Sequence, residues 1–388
     1  MKILFPTMAF ALMGIMSCKK FLDIPFPQDQ VSSVAVFSDD STAQSAVLGL
    51  YGQLMTTASI FLNGSLTIYP GLSSDELYNT SPQATQDQFY SNALSPDESS
   101  QIYNGLWKWA YADIFHCNNI IKGLDESSKV SLALKNQLKG EALAVRALCY
   151  FYLTNLYGDV PLQTSIDYTI NNTVPRTDSR IVYEQIVKDL KDARDLLIQS
   201  AIPTARGRFN AFAATALLAR VYLYQKEYTL AEEAASDVLS QPAYSLSNDL
   251  SKIFLIGSGE AILQLYPVAL NQNTGDGFAL IPPGGAAVRP PFAISSSLLN
   301  AFEPGDKRKA EWTKGKTIGS ETFIYPFKYK VKSGPVVSEG NTILRLGEQY
   351  LIRAESRAML NNFQGALDDL NLIRQRAGLP SLAIQVAD

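Results

Sequence analysis

One histidine and three cysteines are all that 388 residues offer to a transition metal. Such sites draw on clustered His and Cys side chains, and the adjacent pair His116-Cys117 falls on a helical stretch that points the two to different faces. No metal site and no cofactor is expected. Basic blocks are absent as well: 33 basic against 37 acidic residues give a net charge of −4, which argues against nucleic acid as a partner. No glycine-rich phosphate loop occurs, and Gly257-Ser258-Gly259 lacks the spacing of a nucleophile elbow. Glycoside hydrolysis needs two carboxylates held across a cleft, whereas Asp75 and Glu76 are neighbours in one loop. The sequence therefore points away from catalysis. Long apolar runs are also missing, with a single exception at the N-terminus.

That exception sets the expected location. Met1 to Ser17 reads as a signal peptide, with Lys2 as its positive start and Ile3 to Ile15 as an apolar run too short to span a membrane. It ends at Ile15-Met16-Ser17-Cys18, the pattern of a lipoprotein cleavage box, so Cys18 is expected to carry the lipid that holds the chain at a bilayer surface. The alternative is an ordinary signal peptide with an incidental Cys. Residues 18–40 read as an extended lead-in, because Pro25 and Pro27 oppose a helix. Residues 41–388 remain, with hydrophobic residues at 46% and charged residues at 18% of the chain, a balance that supports a packed core. Cys117 and Cys149 lie in apolar helical patterns as buried thiols, and their pairing is left open by the sequence.

Apolar residues at helical spacing predict helices over about 41–56, 98–124, 130–157, 179–199, 209–225, 228–240, 344–360 and 363–377. Between them, 60–97 and 241–340 read as loop-rich, the second with short strands such as Phe323 to Val331. Two helical hairpins align without gaps. Ala219, Tyr228, Ala231 and Ala235 match Ala354, Phe363, Ala366 and Leu370 at the same offsets. Small residues let paired helices approach, and the aromatic is expected to plug the gap beside the turn, the logic of tetratricopeptide-like repeats. Such units stack, because one alone leaves an apolar face uncovered. The expected fold is mainly α: tetratricopeptide-like hairpins as a scaffold, with irregular loop-rich insertions and a few short strands.

Several stretches resemble one family. Cys18-Lys19-Lys20-Phe21-Leu22-Asp23-Ile24-Pro25 looks like the mature start of SusD/RagB-type nutrient-binding lipoproteins. Lys139 to Ala147, continuing through Tyr150-Phe151-Tyr152-Leu153 to Leu156-Tyr157-Gly158-Asp159-Val160-Pro161-Leu162, is similar to its most distinctive motif, and Trp107, Tyr111, Ile114 and Asn118 fit the preceding helix. Arg345 to Pro380 fits its late hairpin. The resemblance implies a helical scaffold whose loops carry a glycan site, or in RagB-type members a peptide site. It implies a SusC-like TonB-dependent outer-membrane transporter as partner, and a lipid-anchored place on the bacterial outer membrane. A helical-repeat adaptor that binds only protein is the reading from another class. Family members run on past the Ala-Gly-Leu-Pro motif, and this chain stops at Asp388, as a fragment or a short member would.

Sugar sites combine aromatic platforms with a few placed polar groups. Asp75, Tyr78 and Asn79 lie within one loop, with Tyr90 and Asn92 near in sequence; Phe292, Trp312 and Tyr325 lie in the second loop-rich region. Trp312, among Lys309, Glu311, Lys314 and Lys316, is expected to face solvent. These aromatics either contact ligand or pin loops to the scaffold. Glu141 and Arg146, inside the hallmark motif, are expected to form a structural ion pair or to brace a loop rather than act on a substrate, and Trp107 to pack in the core.

Overall fold

The structure, a computed structural model, describes residues 33–81, 84–96, 102–200 and 202–384. Cys18 and the lead-in up to residue 32 lie outside the described residues.

Helices α1 (Ser33–Val36) and α2 (Asp40–Gln53) open the described chain. Asp39 caps α2 by accepting from the Thr42 amide at 2.9 Å, which satisfies one of the donors every helix start leaves open. A π-helical turn, Ile102–Trp107, runs into α5 (Lys108–Glu126), so the expected helix over 98–124 begins with a wider coil. Then come α6 (Leu132–Tyr157), α7 (Tyr168–Asn171), α8 (Ser179–Leu197), α9 (Ala211–Tyr224) and α10 (Tyr228–Leu239), and late in the chain α14 (Leu346–Met359) and α15 (Phe363–Arg376). Gly158 at φ +69° stops α6, and Gly378 at φ +80° follows α15, positions where a side chain would be strained.

Helices α5, α6, α8, α9, α10, α14 and α15 stack in that order, each against the next. The aligned hairpins share their turn in atomic detail. Lys226 and Asn361, seven residues after the matched alanines, both adopt left-handed φ, +61° and +63°. Glu227 N donates to Tyr222 O at 2.9 Å, and Asn362 N to Arg357 O at 2.8 Å, again at equal offsets. The aromatic plug is corrected in one copy: Tyr228 is half-buried, but Phe363 is 54% exposed.

Buried charges in this stack are paired. Arg146 grips Asp189 through two bonds of 2.8 and 2.7 Å and donates to Asn118 Oδ1 at 2.8 Å. Glu141 accepts from Arg208 twice at 2.8 Å. Both motif residues are structural, each with its own partner, Asp189 for Arg146 and Arg208 for Glu141. Trp107 packs on Tyr111 and Tyr157. Cys117 and Cys149 are buried free thiols, pushed well above the ordinary value by desolvation.

The loop-rich regions hold more order than their composition suggests. Residues 60–97 contain α3 (Ser65–Ser73), β1 (Leu77–Asn79) and α4 (Ala84–Tyr90). Pro70 sits inside α3, where a breaker is expected, but buried Ile68, Tyr69 and Leu72 anchor the helix on the core. After β2 (Val160–Pro161) and β3 (Arg176–Thr177), which pair beside α7, the second region supplies β4 (Ala261–Leu265), α11 (Gly275–Leu280), β5 (Phe292–Ile294), α12 (Ser296–Ala301), α13 (Lys307–Trp312), β6 (Thr313–Ile318), β7 (Glu321–Pro326) and β8 (Asn341–Arg345). The strands form two-stranded pairs: β1 with β5, β4 with β8, and the β6–β7 hairpin. No described helix is long and apolar enough to cross a membrane.

Candidate functional site: a cavity between the two loop-rich regions

The β1–β5 ladder joins the two regions, with Leu77 opposite Ile294, Tyr78 opposite Ala293 and Asn79 opposite Phe292. Its approach is fixed by the turn after α3. Asp75 takes left-handed φ of +60°, its carbonyl accepts from Ser295 Oγ at 2.5 Å, and the Glu76 carbonyl accepts from Ser295 N at 3.0 Å. Ser295 also caps α12 by accepting from Leu298 N at 3.2 Å. One serine thus ties the α3 turn to the second region.

Beside this ladder opens a cavity of about 570 Å³, walled by Thr67, Glu76, Leu77, Asp276, Ile294, Arg308, Trp312, Pro326, Lys328 and Tyr329 among others. Strand side chains alternate between faces. Leu77 and Ile294 turn to the cavity, so Tyr78 turns away; Thr313 and Pro326 do the same on the hairpin, so Tyr325 turns away.

That alternation sorts the residues singled out from the sequence. Trp312 lies on the cavity wall. It does not stand free in solvent: it is half-buried, packs edge-on against Phe254, and donates from Nε1 to Leu250 O at 3.0 Å. Phe292 is 3% exposed and Tyr325 4% exposed, so both serve packing and present no face to a soluble ligand, a correction to the expectation for these two. Asn79 is spent on its own loop, donating to Asp87 Oδ1 at 3.1 Å. Asp75 is exposed in the turn, Tyr78 is half-buried, and Tyr90 is 49% exposed at the end of α4. Tyr78 is held above the ordinary phenol value by burial first and by Glu321 second, which places the second region's β7 beside it. None of these four lines the cavity.

The sequence reading missed three cavity residues that carry the polar chemistry: Thr67, Asp276 and Lys328. Asp276 sits in the first turn of α11, whose cap is Thr274, accepting from Gly277 N at 3.0 Å. It is 7% exposed. Thr67 Oγ1 donates to its Oδ2 at 3.0 Å, while Oδ1 has no partner. Burial pushes its carboxyl up to about 6, against the opposing pull of Thr67 and Lys328. The close seat of α11 depends on Gly275, whose amide donates to Asn63 Oδ1 at 2.7 Å; a β-carbon there would stand 2.2 Å from the Asn63 carbonyl oxygen. The flanking pattern Thr274-Gly-Asp-Gly was the available signal, since paired glycines permit close backbone approach.

Lys328 is exposed at the cavity wall. Its ammonium lies 5.6 Å from the Trp312 ring centroid and has no carboxylate within 4 Å among the described residues. Desolvation first, and then Arg345, hold it below the ordinary lysine value. Arg308 is bound to Asp306, and Arg345 and Arg376 share Glu260. The wall therefore combines an indole, a buried carboxylate with an open acceptor, and an uncommitted ammonium. Such a set can stack a flat apolar face and bond hydroxyls around it.

A second cavity, of about 610 Å³, lies between α2, α6 and the loop before α9. Its charges, Glu141 and Arg208, are spent on each other. A third, of about 300 Å³, is lined by Tyr69, Phe89 and Tyr157.

Comparison with known proteins agrees with this architecture. A family model described as starch-binding associating with outer membrane matches residues 63–223, and one described as the SusD family matches residues 302–388. The SusD-like protein P25 of Formosa agariphila is 25% identical over 259 residues, which are 63% of this chain and 47% of that relative; the match spans about half of the relative's length. A SusD-like carbohydrate binding protein from Bacteroides vulgatus superposes with a TM-score of 0.75 at 19% identity, covering 90% of this chain and 78% of that one. A laminarin binding SusD-like protein gives 0.70 at 20% identity, covering 89% and 86%; at these identities the two structures speak to fold alone. With models of this family matching both its helical first half and its late hairpin, the chain belongs to the SusD/RagB family.

Proposed function

We propose that this chain binds nutrient glycans at the cell surface without altering them and passes them to a SusC-like TonB-dependent outer-membrane transporter, tethered by lipid on Cys18. The observation that carries the glycan reading is the Trp312 indole on the wall of a concave cavity that also holds Asp276, Lys328 and Thr67. An aromatic face suits the apolar side of a pyranose, and a carboxylate and an ammonium suit its hydroxyls. Asp276, at about 6, is largely ionised at neutral pH and accepts hydroxyl bonds. The laminarin binding relative of like fold lends support to carbohydrate as the ligand class. Surface placement rests on the family description, and the anchor on the cleavage box ending at Cys18.

Native gels containing soluble polysaccharide test the reading. The chain is expected to be retarded, Trp312→Ala to weaken retention about tenfold or more, and chromatography to return the bound oligosaccharide uncut. Retention unchanged by Trp312→Ala would refute the cavity as the site, cleavage of the glycan would refute passive binding, and heat released on titration with oligopeptides but not sugars would move the cargo to peptides.

A further inference from the structure

Resting on that reading, we infer that the glycan is polyanionic, bearing carboxylate or sulfate groups that the β6–β7 hairpin and its flanks recognise through lysines.

Charge is distributed very unevenly along this chain. Residues 306–332 hold eight basic and three acidic side chains, a net +5, in a chain whose total is −4. The segment comprises α13, the hairpin and the strip that follows, the same elements that give the cavity Arg308, Trp312, Thr313, Pro326 and Lys328. These cations are poorly neutralised. Arg308 has Asp306, and Lys330 reaches Glu311 only at 3.9 Å. Lys314, Lys316, Lys328 and Lys332 have no carboxylate within 4 Å among the described residues.

Aromatic rings hold several of them instead. Lys314 and Lys330 lie 4.6 and 4.7 Å from the Phe327 ring centroid, Lys332 lies 4.5 Å from that of Phe278, and Lys328 lies 5.6 Å from that of Trp312. Lys330 also donates to Glu311 O at 2.9 Å, Lys332 to Phe278 O and Ile281 O, and Lys316 to Gly285 O at 2.9 Å; at Lys314 and Lys328 the ring orients the ammonium without using up its N–H donors. A net charge of +5 in one short segment is unfavourable in the free protein and is relieved when anions bind.

Acidic groups offset part of this field: Asp276 and Glu76, from α11 and the turn after α3, pull on Lys328, and Glu339 accepts from the Lys330 and Val331 amides at 2.6 and 3.1 Å. Glu311 and Glu321 lie at the ends of α13 and β7. An acidic sugar would direct its carboxylate or sulfate to the hairpin side, toward Lys328, and its hydroxyls to Asp276. The concave wall with an indole favours a saccharide over a flat acidic protein surface or an anionic membrane, neither of which enters a cavity of this size.

Isothermal titration of the full mature chain separates the possibilities, using polygalacturonate oligomers and dextran sulfate as anionic probes, laminarin as a neutral one, and anionic phospholipid vesicles as a control. The anionic glycans are expected to bind more tightly than laminarin, with affinity falling about tenfold from low to about 0.5 M salt. Lys314→Gln combined with Lys316→Gln, neither of which lines the cavity, should weaken the anionic probes about tenfold while leaving the melting temperature and any laminarin binding in place. Equal or tighter binding of laminarin, lost in Trp312→Ala but untouched by the lysine changes, would overturn the polyanion and leave glycan binding standing. Binding of vesicles alone through the same lysines, with no glycan bound, would overturn both.

Discussion

The helical stack and the cavity-bearing half treat buried charge in opposite ways. In the stack, Arg146 meets Asp189, Arg208 meets Glu141, and Arg353 and Arg357 converge on Asp369. Around the cavity, Asp276 keeps an oxygen without a partner and Lys328 an ammonium without a carboxylate. Desolvating a charge is costly unless a partner compensates it. The stack spends its charges on holding helices together. The cavity leaves two uncommitted, which lowers stability there and keeps them available to a ligand.

This contrast can be broken at its strongest point first. Arg146→Met strands the Asp189 carboxylate in the stack, and chemical denaturation should register a loss of about 3–5 kcal/mol; a loss below about 1 kcal/mol would mean that the stack does not depend on its pairs. On the cavity side, Gly275→Ala pushes α11 off Asn63, with an expected loss of about 1–3 kcal/mol and weaker glycan retention. A loss equal to that of Arg146→Met would show the two halves to be equally constrained.

The smallest effect concerns the stack's own exception. Asp113 is buried on α5 with Gln53 Nε2 donating at 3.0 Å and no cation beside it, and burial pushes it up to about 7. The native state therefore keeps a proton that the unfolded chain releases near 4, so unfolding free energy falls as pH rises from about 4 to about 7. Asp276, at about 6, adds to the same slope up to that pH. Asp113→Asn should flatten the dependence by at most about 1.4 kcal/mol per pH unit, measured by denaturation at stepped pH. An unchanged slope would place the titrating group elsewhere.

The stack was legible because a 3.6-residue period repeats over long helices, and because Glu141 and Arg146 sit where an apolar helix can hold charge only in pairs. The expected helix ends agree with the structure to within a few residues, as at 130–157 against Leu132–Tyr157. Short elements were less legible. Helix α3 survives Pro70 because tertiary burial of Ile68 and Leu72 outweighs local propensity. Of the residues singled out from the sequence, Trp312 alone lines the cavity, and the others lie close to it in sequence or space. Tyr78 and Tyr325 are one residue from cavity-lining Leu77 and Pro326, and a period of two sends neighbours to opposite faces. Which face meets the cavity is decided by pairing partners more than two hundred residues away, as Leu77 is with Ile294. Trp312 lines the cavity, and its contacts with Leu250 and Phe254 correct the expectation that it faces solvent.

That same short ladder has a consequence for how the molecule comes into being. Loop closure over so long a stretch is entropically expensive and slow, whereas α5, α6, α8, α9 and α10 are near neighbours in the chain. In a chain that emerges N-terminus first, these five helices can associate before β5 arrives. The cavity is closed late, by strands arriving at a surface already in place.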